Sequence, residues 1–273
     1  MNTDTTEEWA GPAEEPVEPR LDTTEEWAGP AEEPVEPQLD TAEEWAGLAE
    51  EPIEPQIESF SIGIPADGVS LSGDLEIPKN AIGLVLFAHG SGSGRFSVRN
   101  RGVAKMLQRS GIATLLFDLL TSKEEIQDAH TGHLRFDIRL LARRLVAVTE
   151  AVTGDPHSRG LPIAYFGAST GGAAALIAAA ALPSKVRGVV SRGGRPDLAG
   201  EALAHVKAPT LLIVGERDED VLRLNEQAFE KLQCVKSLAV VPHATHLFQE
   251  PGALEEVARL AASWFRKHLR PKE

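Results

Sequence analysis

The sequence predicts an α/β protein with a mostly parallel, doubly wound sheet, preceded by an acidic tail. Between residues 83 and 241, short apolar runs are continuous rather than alternating, which is typical of strands buried on both faces of a parallel sheet. Segments with apolar residues at helical spacing separate these runs, and such alternation indicates an open sheet with helices on both faces. A sharp change of composition near residue 58 separates the tail from this domain.

The tail, residues 1–57, consists of three nearly identical 18-residue repeats, the first of which reads DTTEEWAGPAEEPVEPRL. Residues 1–58 hold 19 of the 41 acidic residues but one of the 27 basic residues, so this segment carries a net charge of −18 and the remainder carries +4. Frequent proline and self-repelling charge predict a disordered segment. Because the remainder is near neutral, the overall charge of −14 describes the tail rather than the domain. We expect no nucleic-acid partner.

The repeats permit two interpretations. The first is an acidic spacer that raises solubility. The second is a linear motif in three copies, in which Trp9, Trp27 and Trp45 anchor the tail to a protein partner that has a basic groove and an apolar pocket. The sequence does not identify this partner.

Composition also narrows the cellular setting and the chemistry. Cys234 is the single cysteine, so the sequence predicts no internal disulfide and no metal site built from cysteines. The N-terminus lacks the basic and apolar regions of a signal peptide, and the longest apolar stretch, Ala173–Leu182, is too short to span a membrane. We therefore expect a cytoplasmic protein without a membrane partner, metal or cofactor.

The domain, residues 58–273, begins with a predicted antiparallel hairpin and continues with strands and helices in alternation. The hairpin strands, Phe60–Ile64 and Val69–Glu76, flank a Pro-Ala-Asp-Gly turn. Buried strands are predicted at Gly83–Ala88, Ala113–Asp118, Ile163–Gly167, Val186–Ser191, Thr210–Gly215 and Leu238–Val241. Helices are predicted at Val103–Ser110, Leu134–Val152, Thr170–Ala181, Val221–Leu232 and Leu254–Leu269. In open α/β sheets, the active site lies beyond the carboxyl ends of the strands.

A candidate nucleophile stands where one predicted strand meets a helix. The strand Ile163–Gly167 runs into Gly-Ala-Ser169-Thr-Gly, a G-x-S-x-G motif in a strand–turn–helix context. Such a turn exposes the serine Oγ on a sharp corner, and the first N–H groups of the helix favour a developing oxyanion. The alternative is a turn that only packs the helix closely against the sheet, since the motif is short.

A candidate acid and a candidate base follow Ser169 along the chain. Asp218 comes directly after a predicted strand, and His246 follows the last predicted strand. A serine hydroxyl needs a histidine to take its proton, and a carboxylate holds that histidine in the required tautomer. Asp220 and His243 are the alternative assignments, but Asp218 and His246 are better placed relative to their strands.

A glycine-rich loop, HGSGSG, follows the first buried strand. A dinucleotide site is the alternative interpretation, but Arg95 occupies the position of the third glycine in the GxGxxG fingerprint, and the chain lacks a GK[ST] phosphate loop. We instead expect the backbone N–H groups of Ser91 and Thr170 to form an oxyanion hole.

Together, the motifs GASTGG, GERD, HATHLF and HGSGSG resemble the dienelactone-hydrolase-like branch of the α/β-hydrolase superfamily, over roughly residues 58–270. The order of serine, aspartate and histidine along the chain is also that of this superfamily. The resemblance implies an α/β-hydrolase fold with Ser169, Asp218 and His246 as a catalytic triad. Dienelactone hydrolases use a cysteine nucleophile, so the serine at position 169 favours the hydrolysis of other carboxylic esters.

Two further segments bear on the substrate. A long polar loop is predicted after Asp118, where it either covers the pocket or caps a helix. Arg192 and Arg195 follow a predicted strand and are candidates for holding a substrate carboxylate or phosphate, although most such arginines are solvated. Because only 18 residues, 192–209, precede the next strand, we expect no large lid and a small or polar substrate.

The sequence therefore predicts a serine hydrolase that cleaves a small or polar carboxylic ester, lactone or thioester through an acyl-enzyme. The alternative is an interaction or scaffold protein, in which the tail recruits a partner and the hydrolase domain is catalytically marginal. A complete set of three catalytic residues argues against that alternative, because a scaffold has no need of all three.

Overall fold

A computed structural model describes residues 55–270 of the chain. Along these residues the strands are β1 (Ile57–Ala66), β2 (Val69–Pro78), β3 (Leu84–Ala88), β4 (Ala113–Phe117), β5 (Ile163–Ala168), β6 (Val186–Arg192), β7 (Thr210–Gly215) and β8 (Lys236–Val241). The helices are α1 (Val98–Arg109), α2 (Ser122–Thr131), α3 (Ile138–Gly154), α4 (Thr170–Ala181), the 3-10 helix Pro196–His205, α5 (Glu219–Lys231) and α6 (Ala253–Leu269).

The described strands form one mixed sheet in the order β1-β2-β4-β3-β5-β6-β7-β8. From β4 to β8 in this order all neighbours are parallel, whereas β2 pairs antiparallel with both β1 and β4. Strands β3, β4, β5 and β7 are buried along their whole length, as expected where helices cover both faces. The predicted fold class, a mostly parallel doubly wound sheet with an N-terminal hairpin, is confirmed.

The hairpin of β1 and β2 closes at Asp67 and Gly68, whose φ angles of 49° and 80° lie in the left-handed region that two-residue hairpin turns require. Strand β1 begins at Ile57, which is the last residue of the third repeat. The remainder of the tail lies outside the described residues. Its predicted disorder and the predicted anchoring role of its tryptophans therefore stay predictions.

Two hydrophobic layers hold the helices on the two faces of the sheet. Successive residues of a strand point to opposite faces, so Leu86 and Tyr165 belong to one layer while Phe87 and Phe166 belong to the other. Helices α3 and α4 pack in the first layer, and α1 and α6 pack in the second. The buried hydroxyl of Tyr165 is satisfied by the hydroxyl of Thr149 on α3, at 2.6 Å.

The segment after Asp118 contains helix α2 and is not the long polar loop that its composition predicts. A capping box starts this helix. The Thr121 hydroxyl accepts from the Glu124 N–H at 3.3 Å, and the Glu124 carboxylate accepts from the Thr121 N–H at 2.8 Å. Each of the two backbone N–H groups is thus satisfied by the side chain of the other residue. A polar stretch can therefore start a helix.

Capping side chains also explain why two other helices differ from their predicted bounds. Helix α1 begins five residues before its predicted start because the Ser97 hydroxyl accepts from the Asn100 N–H at 3.4 Å. Helix α3 begins four residues after its predicted start because the Asp137 carboxylate accepts from the Leu140 N–H at 2.9 Å.

Buried Arg144 ties α2 to the sheet. Its guanidinium donates to the carbonyl oxygen of Leu119, just after β4, at 2.7 Å, and it donates to both carboxylate oxygens of Glu124, at 2.5 and 2.8 Å. The Arg144 side chain is 3% exposed. Hydrogen bonds from Arg144, the largest effect, lower the pKa of Glu124 to about 2. The charged form of Glu124 is therefore the one that the fold stabilises.

We predict that Glu124→Gln lowers the free energy of unfolding by about 2 kcal/mol at pH 7, because it leaves the buried Arg144 charge without its carboxylate. The folded pKa of Glu124 lies below its ordinary value. The stabilisation is therefore complete above about pH 4.5, and it is lost as the pH falls toward 2. Urea denaturation at pH 7 and pH 3 measures this, with a smaller difference between the variant and the wild type at pH 3. Glu150→Gln, at an exposed ion pair with Lys185, is the control and should change stability by less than about 0.5 kcal/mol. A variant as stable as the wild type at pH 7 would contradict the prediction.

Candidate active site

Ser169 lies on a sharp corner between β5 and α4. Its backbone has φ 50° and ψ −122°, a strained conformation for a residue with a side chain. Three backbone hydrogen bonds hold the corner: the Ser169 N–H donates to the Arg192 carbonyl oxygen at 3.3 Å, and the Ser169 carbonyl oxygen accepts from Gly172 at 3.0 Å and Arg195 at 3.1 Å. The turn after β6 therefore fixes the position of the serine.

The glycines of the motif are required by close packing. A Cβ on Gly171 would lie 2.6 Å from the carbonyl oxygen of His89 and closer still to that of Ala88. A Cβ on Gly172 would lie 2.5 Å from the Ser191 Oγ. Helix α4 can therefore start directly against the ends of β3 and β6 only because these positions lack side chains.

Asp218 and His246 lie beside each other at the same edge of the sheet. The His246 Nδ1 and the Asp218 Oδ2 are 2.6 Å apart, and their side chains are 40% and 14% exposed. The loops that carry them are joined by the Arg217 N–H, which donates to the Ala244 carbonyl oxygen at 2.9 Å. Gly215 allows this contact, because a Cβ there would overlap the Ala244 carbonyl.

The alternative assignments, Asp220 and His243, lie elsewhere. Asp220 is exposed and pairs with Arg223 on the surface of α5. His243 is 77% exposed and faces Glu216, with their side-chain atoms 3.3 Å apart. Neither residue contacts the pair formed by Asp218 and His246.

Ser169 and His246 both border the turn after β6. The Ser169 N–H bonds to Arg192, and a Cβ on the next residue, Gly193, would lie 3.6 Å from the His246 Cε1. Among the hydrogen bonds of the described residues, none joins the Ser169 hydroxyl to His246. Catalytic hydrogen bonds are often long in the absence of substrate, so the lack of this bond does not exclude the pair.

The two candidate oxyanion donors meet at this corner. The Ser91 N–H donates to the Thr170 hydroxyl at 3.0 Å, which draws the glycine-rich loop onto the start of α4. Gly90 also approaches Ser169, since a Cβ on Gly90 would lie 3.0 Å from the serine Cβ. The Thr170 N–H is the first of α4 and has no partner within the helix. Thr170 thus has two parts in this corner: its backbone N–H is a hydrogen-bond donor, and its hydroxyl accepts the hydrogen bond from the Ser91 N–H.

His89 positions this loop, and the sequence patterns did not single it out. Its Nε2 accepts from the Leu119 N–H at 2.9 Å, and its Nδ1–H donates to the Gly90 carbonyl oxygen at 3.0 Å. Burial, the largest effect, lowers the pKa of His89, which keeps the imidazole neutral and able to accept. The sequence feature that could have indicated this role is the histidine that begins the HGSGSG motif.

The two candidate arginines have different environments. The Arg195 guanidinium forms a double hydrogen bond with the carboxylate of Asp197, at 2.9 and 2.8 Å, and its side chain is 39% exposed. Arg192 is buried, and its guanidinium donates to the Asn100 side-chain oxygen at 3.3 Å. The Arg192 side chain is therefore buried in the domain, whereas the Arg195 side chain binds Asp197, which lies on the same turn.

A cavity of about 700 Å³ borders the glycine-rich loop, and Ser169, Asp218 and His246 are not among the residues that line it. Its walls are the glycine-rich loop through Arg99, the exposed face of α2, and Arg135. Helix α2 thus forms one wall of the cavity. Between β6 and β7, the chain supplies only the 3-10 helix Pro196–His205 and no larger insertion.

Two features are absent from the described part of the chain. Residues 55–270 contain no group of three histidine, cysteine or acidic side chains close enough to bind a metal ion. No helix in the same range has the length and apolar character needed to cross a membrane.

Comparisons with known proteins relate the chain to hydrolases. A family described as an alpha/beta hydrolase domain matches residues 81–259. The crystal structure of a dienelactone hydrolase from Anabaena variabilis is 58% identical, with a TM-score of 0.77 and coverage of 80% of this chain and 100% of that chain. Est1E from Butyrivibrio proteoclasticus is 16% identical, with a TM-score of 0.63 and coverage of 77% and 98%, a likeness that shows the fold alone.

Two relatives from strains of Mycobacterium tuberculosis carry a different name. Both are called phosphoribosyl transferases, and they are 55% identical to this chain over 206 residues. The match covers 76% of this chain and 46% of each relative, so the chain spans less than half the length of those proteins. Their name therefore says nothing specific about the matched segment.

We predict that Gly171→Ala destabilises the domain by more than about 2 kcal/mol, because the added methyl group overlaps two backbone carbonyls that cannot move independently of the sheet. Thermal or urea denaturation of the purified variant measures the loss. Gly154→Ala is the matched control, since nothing lies within 4 Å of a Cβ at that position. Equal stability of the two variants would show that the corner is not closely packed.

Proposed function

Because the chain belongs to the family of α/β-hydrolase domains, we propose that it is a serine hydrolase that cleaves a small or polar carboxylic ester, lactone or thioester through an acyl-enzyme. The observation that carries this proposal is the 2.6 Å contact between Asp218 and His246, at the sheet edge where Ser169 occupies a strained corner. Strain of this kind persists where the surrounding structure enforces it, and it is frequent at active sites.

In the proposed reaction, the Ser169 Oγ attacks the carbonyl carbon while the His246 Nε2 takes the hydroxyl proton. Asp218 accepts the Nδ1–H of His246, which leaves Nε2 as the basic nitrogen and stabilises the imidazolium that forms. The protonated His246 then donates to the leaving alcohol, and an acyl group remains on Ser169. Water attacks this acyl-enzyme with His246 again as the base, which releases the acid and restores the serine.

The proposed oxyanion hole uses the backbone N–H groups of Thr170 and Ser91. The Thr170 N–H is a first-turn donor of α4, where the helix dipole also favours negative charge. The Ser91 N–H is held by the Thr170 hydroxyl at 3.0 Å, so a substrate oxyanion would share or replace that acceptor. The Thr170 N–H, in contrast, has no acceptor within the helix to give up when the charge develops.

The open setting of the site supports a small or polar substrate. The connection after β6 contains two short 3-10 turns that meet at a kink at Gly200, and it is too short to form an apolar lid of the kind that large lipid substrates need. The cavity beside the glycine-rich loop has about 700 Å³, and serines, arginines and acidic residues line it together with the apolar Phe96, Val98, Leu120 and Leu141. The 58% identical relative is named a dienelactone hydrolase, and a lactone is one of the substrate types within this proposal.

We predict that Ser169→Ala reduces kcat for an activated ester by about 10⁴- to 10⁶-fold, because the nucleophile is lost, while the fold is kept. The measurement is hydrolysis of 4-nitrophenyl acetate by the purified full chain, with circular dichroism as the check on folding. Labelling with a fluorophosphonate probe should disappear in the same variant. Retention of more than about a tenth of the activity would identify another nucleophile.

We predict that Asp218→Asn lowers kcat by about 10³- to 10⁴-fold, because an amide donor at this position favours the wrong tautomer of His246. Asp220→Asn is the matched control, since this carboxylate is two residues away on the surface of α5 and pairs with Arg223. Steady-state rates of the two variants at the same pH decide the question. Comparable loss in both would exclude Asp218 as the residue that orients the base.

A further inference from the structure

Arg192 is a buried cation without a carboxylate partner. The residue is 6% exposed, and its guanidinium makes one side-chain hydrogen bond, to the neutral Asn100 at 3.3 Å. Its Nε is buried and has no hydrogen-bond partner among residues 55–270. In the same range, no acidic side chain lies within 4 Å of this guanidinium. A buried guanidinium in this state loses its hydration without an opposite charge in return.

Five other arginines among the described residues do have acidic partners. Arg95 pairs with Asp118, Arg101 with Asp74, Arg135 with Asp128, Arg144 with Glu124, and Arg195 with Asp197. A general excess of arginine therefore does not explain Arg192. Its lack of a partner is a local property of the turn after β6.

Arg99 supplies a second positive charge beside Arg192. It lies at the start of α1, next to the Asn100 that contacts Arg192, and its Nε is also buried without a partner among the described residues. Arg99 lines the cavity together with Gly90 and Ser91. Burial, with a further contribution from the charge of Arg99, lowers the pKa of Arg192 to about 10, so the Arg192 side chain is still charged at neutral pH.

The backbone of Arg192 contacts the candidate nucleophile, and its guanidinium lies beside the loop that carries the candidate base. The carbonyl oxygen of Arg192 accepts from the Ser169 N–H at 3.3 Å. The Arg192 guanidinium lies 5.6 Å from the centre of the Phe248 ring, two residues after His246. Arg192 is thus held between the start of α1 and the loop that carries the candidate base, at one side of the corner.

We propose that Arg192 and Arg99 form a subsite for an oxyanion group of the substrate, a carboxylate or a phosphate, so that the enzyme acts on an anionic ester. Two guanidinium groups without acidic partners offer several N–H donors in the planar arrangement that such oxyanions accept. This inference deepens the proposed hydrolase function and rests on it for the reaction. The anion subsite itself can be tested without any catalysis.

The first test measures anion binding by thermal denaturation of the full chain. Sodium phosphate and sodium succinate are titrated at constant ionic strength against sodium chloride, in the wild type, Arg192→Met, Arg99→Met and Arg101→Met. We expect the wild type and Arg101→Met to gain several degrees in Tm, and the other two variants to gain less than a third as much. The anion with the larger effect distinguishes a carboxylate from a phosphate ligand. Equal responses of all four proteins, or no response beyond that to chloride, would overturn the subsite.

Arg192→Met also has a stability readout that separates binding from misfolding. Because the substitution removes a buried charge that lacks a carboxylate, we expect Tm without added anion to be unchanged or higher. A large fall in Tm would assign Arg192 a structural role and overturn the proposal.

The second test compares two esters that differ only in charge, 4-nitrophenyl hydrogen succinate and its methyl ester. We expect Arg192→Met to lower kcat/KM for the acid by about 10- to 100-fold and to change that for the methyl ester by less than about threefold. Arg101→Met should change neither. An equal loss on both esters would show a general catalytic defect instead of a specificity subsite. If the wild type hydrolyses neither ester, the hydrolase proposal fails, and the thermal experiment still decides the anion subsite.

Discussion

The contact of the Gly171 and Gly172 backbone with the ends of β3 and β6 is the constraint on which the site depends. It brings the first turn of α4 against the sheet, and this position forces Ser169 into its strained conformation. Several kcal/mol of unfavourable overlap would follow from any side chain at Gly171, so the corner cannot relax without moving the helix. The exposed hydroxyl and the free N–H groups of the helix end follow from the same contact.

Hydrogen bonds between loops carry this constraint across the edge of the sheet. The Ser91 N–H donates to Thr170, His89 accepts from the loop after β4, and the turn after β6 bonds to Ser169. Each of these hydrogen bonds joins segments that follow different strands. The loops at this edge of the sheet are therefore connected to one another. The contact between the loops after β7 and β8 places Asp218 and His246 at the same edge of the sheet.

The sequence was sufficient for the fold class and for placing Ser169, Asp218 and His246 in segments that follow strands, because such placement follows from local pattern and strand order. The catalytic roles of these residues stay predictions. The sequence was insufficient for helix α2, where a capping box in a polar stretch has no apolar periodicity to reveal it. It was also insufficient for the contact between Arg192 and Asn100. These residues are 92 positions apart, and no local pattern encodes their approach.

Arg192 and Arg195 show why local sequence cannot separate a functional arginine from a structural one. They lie three residues apart on one turn, but Asp197 satisfies Arg195, whereas Arg192 points inward. The comparison with Arg144 is equally informative. Arg144 is as deeply buried, but three hydrogen bonds to Leu119 and Glu124 offset the cost of its desolvation. Arg192 has no such compensation within the described chain, and an apolar residue would fit the hydrophobic requirement of that position better. An uncompensated buried charge beside a strained corner is the arrangement expected of a site where a ligand supplies the negative group, which is the basis of the proposed anion subsite.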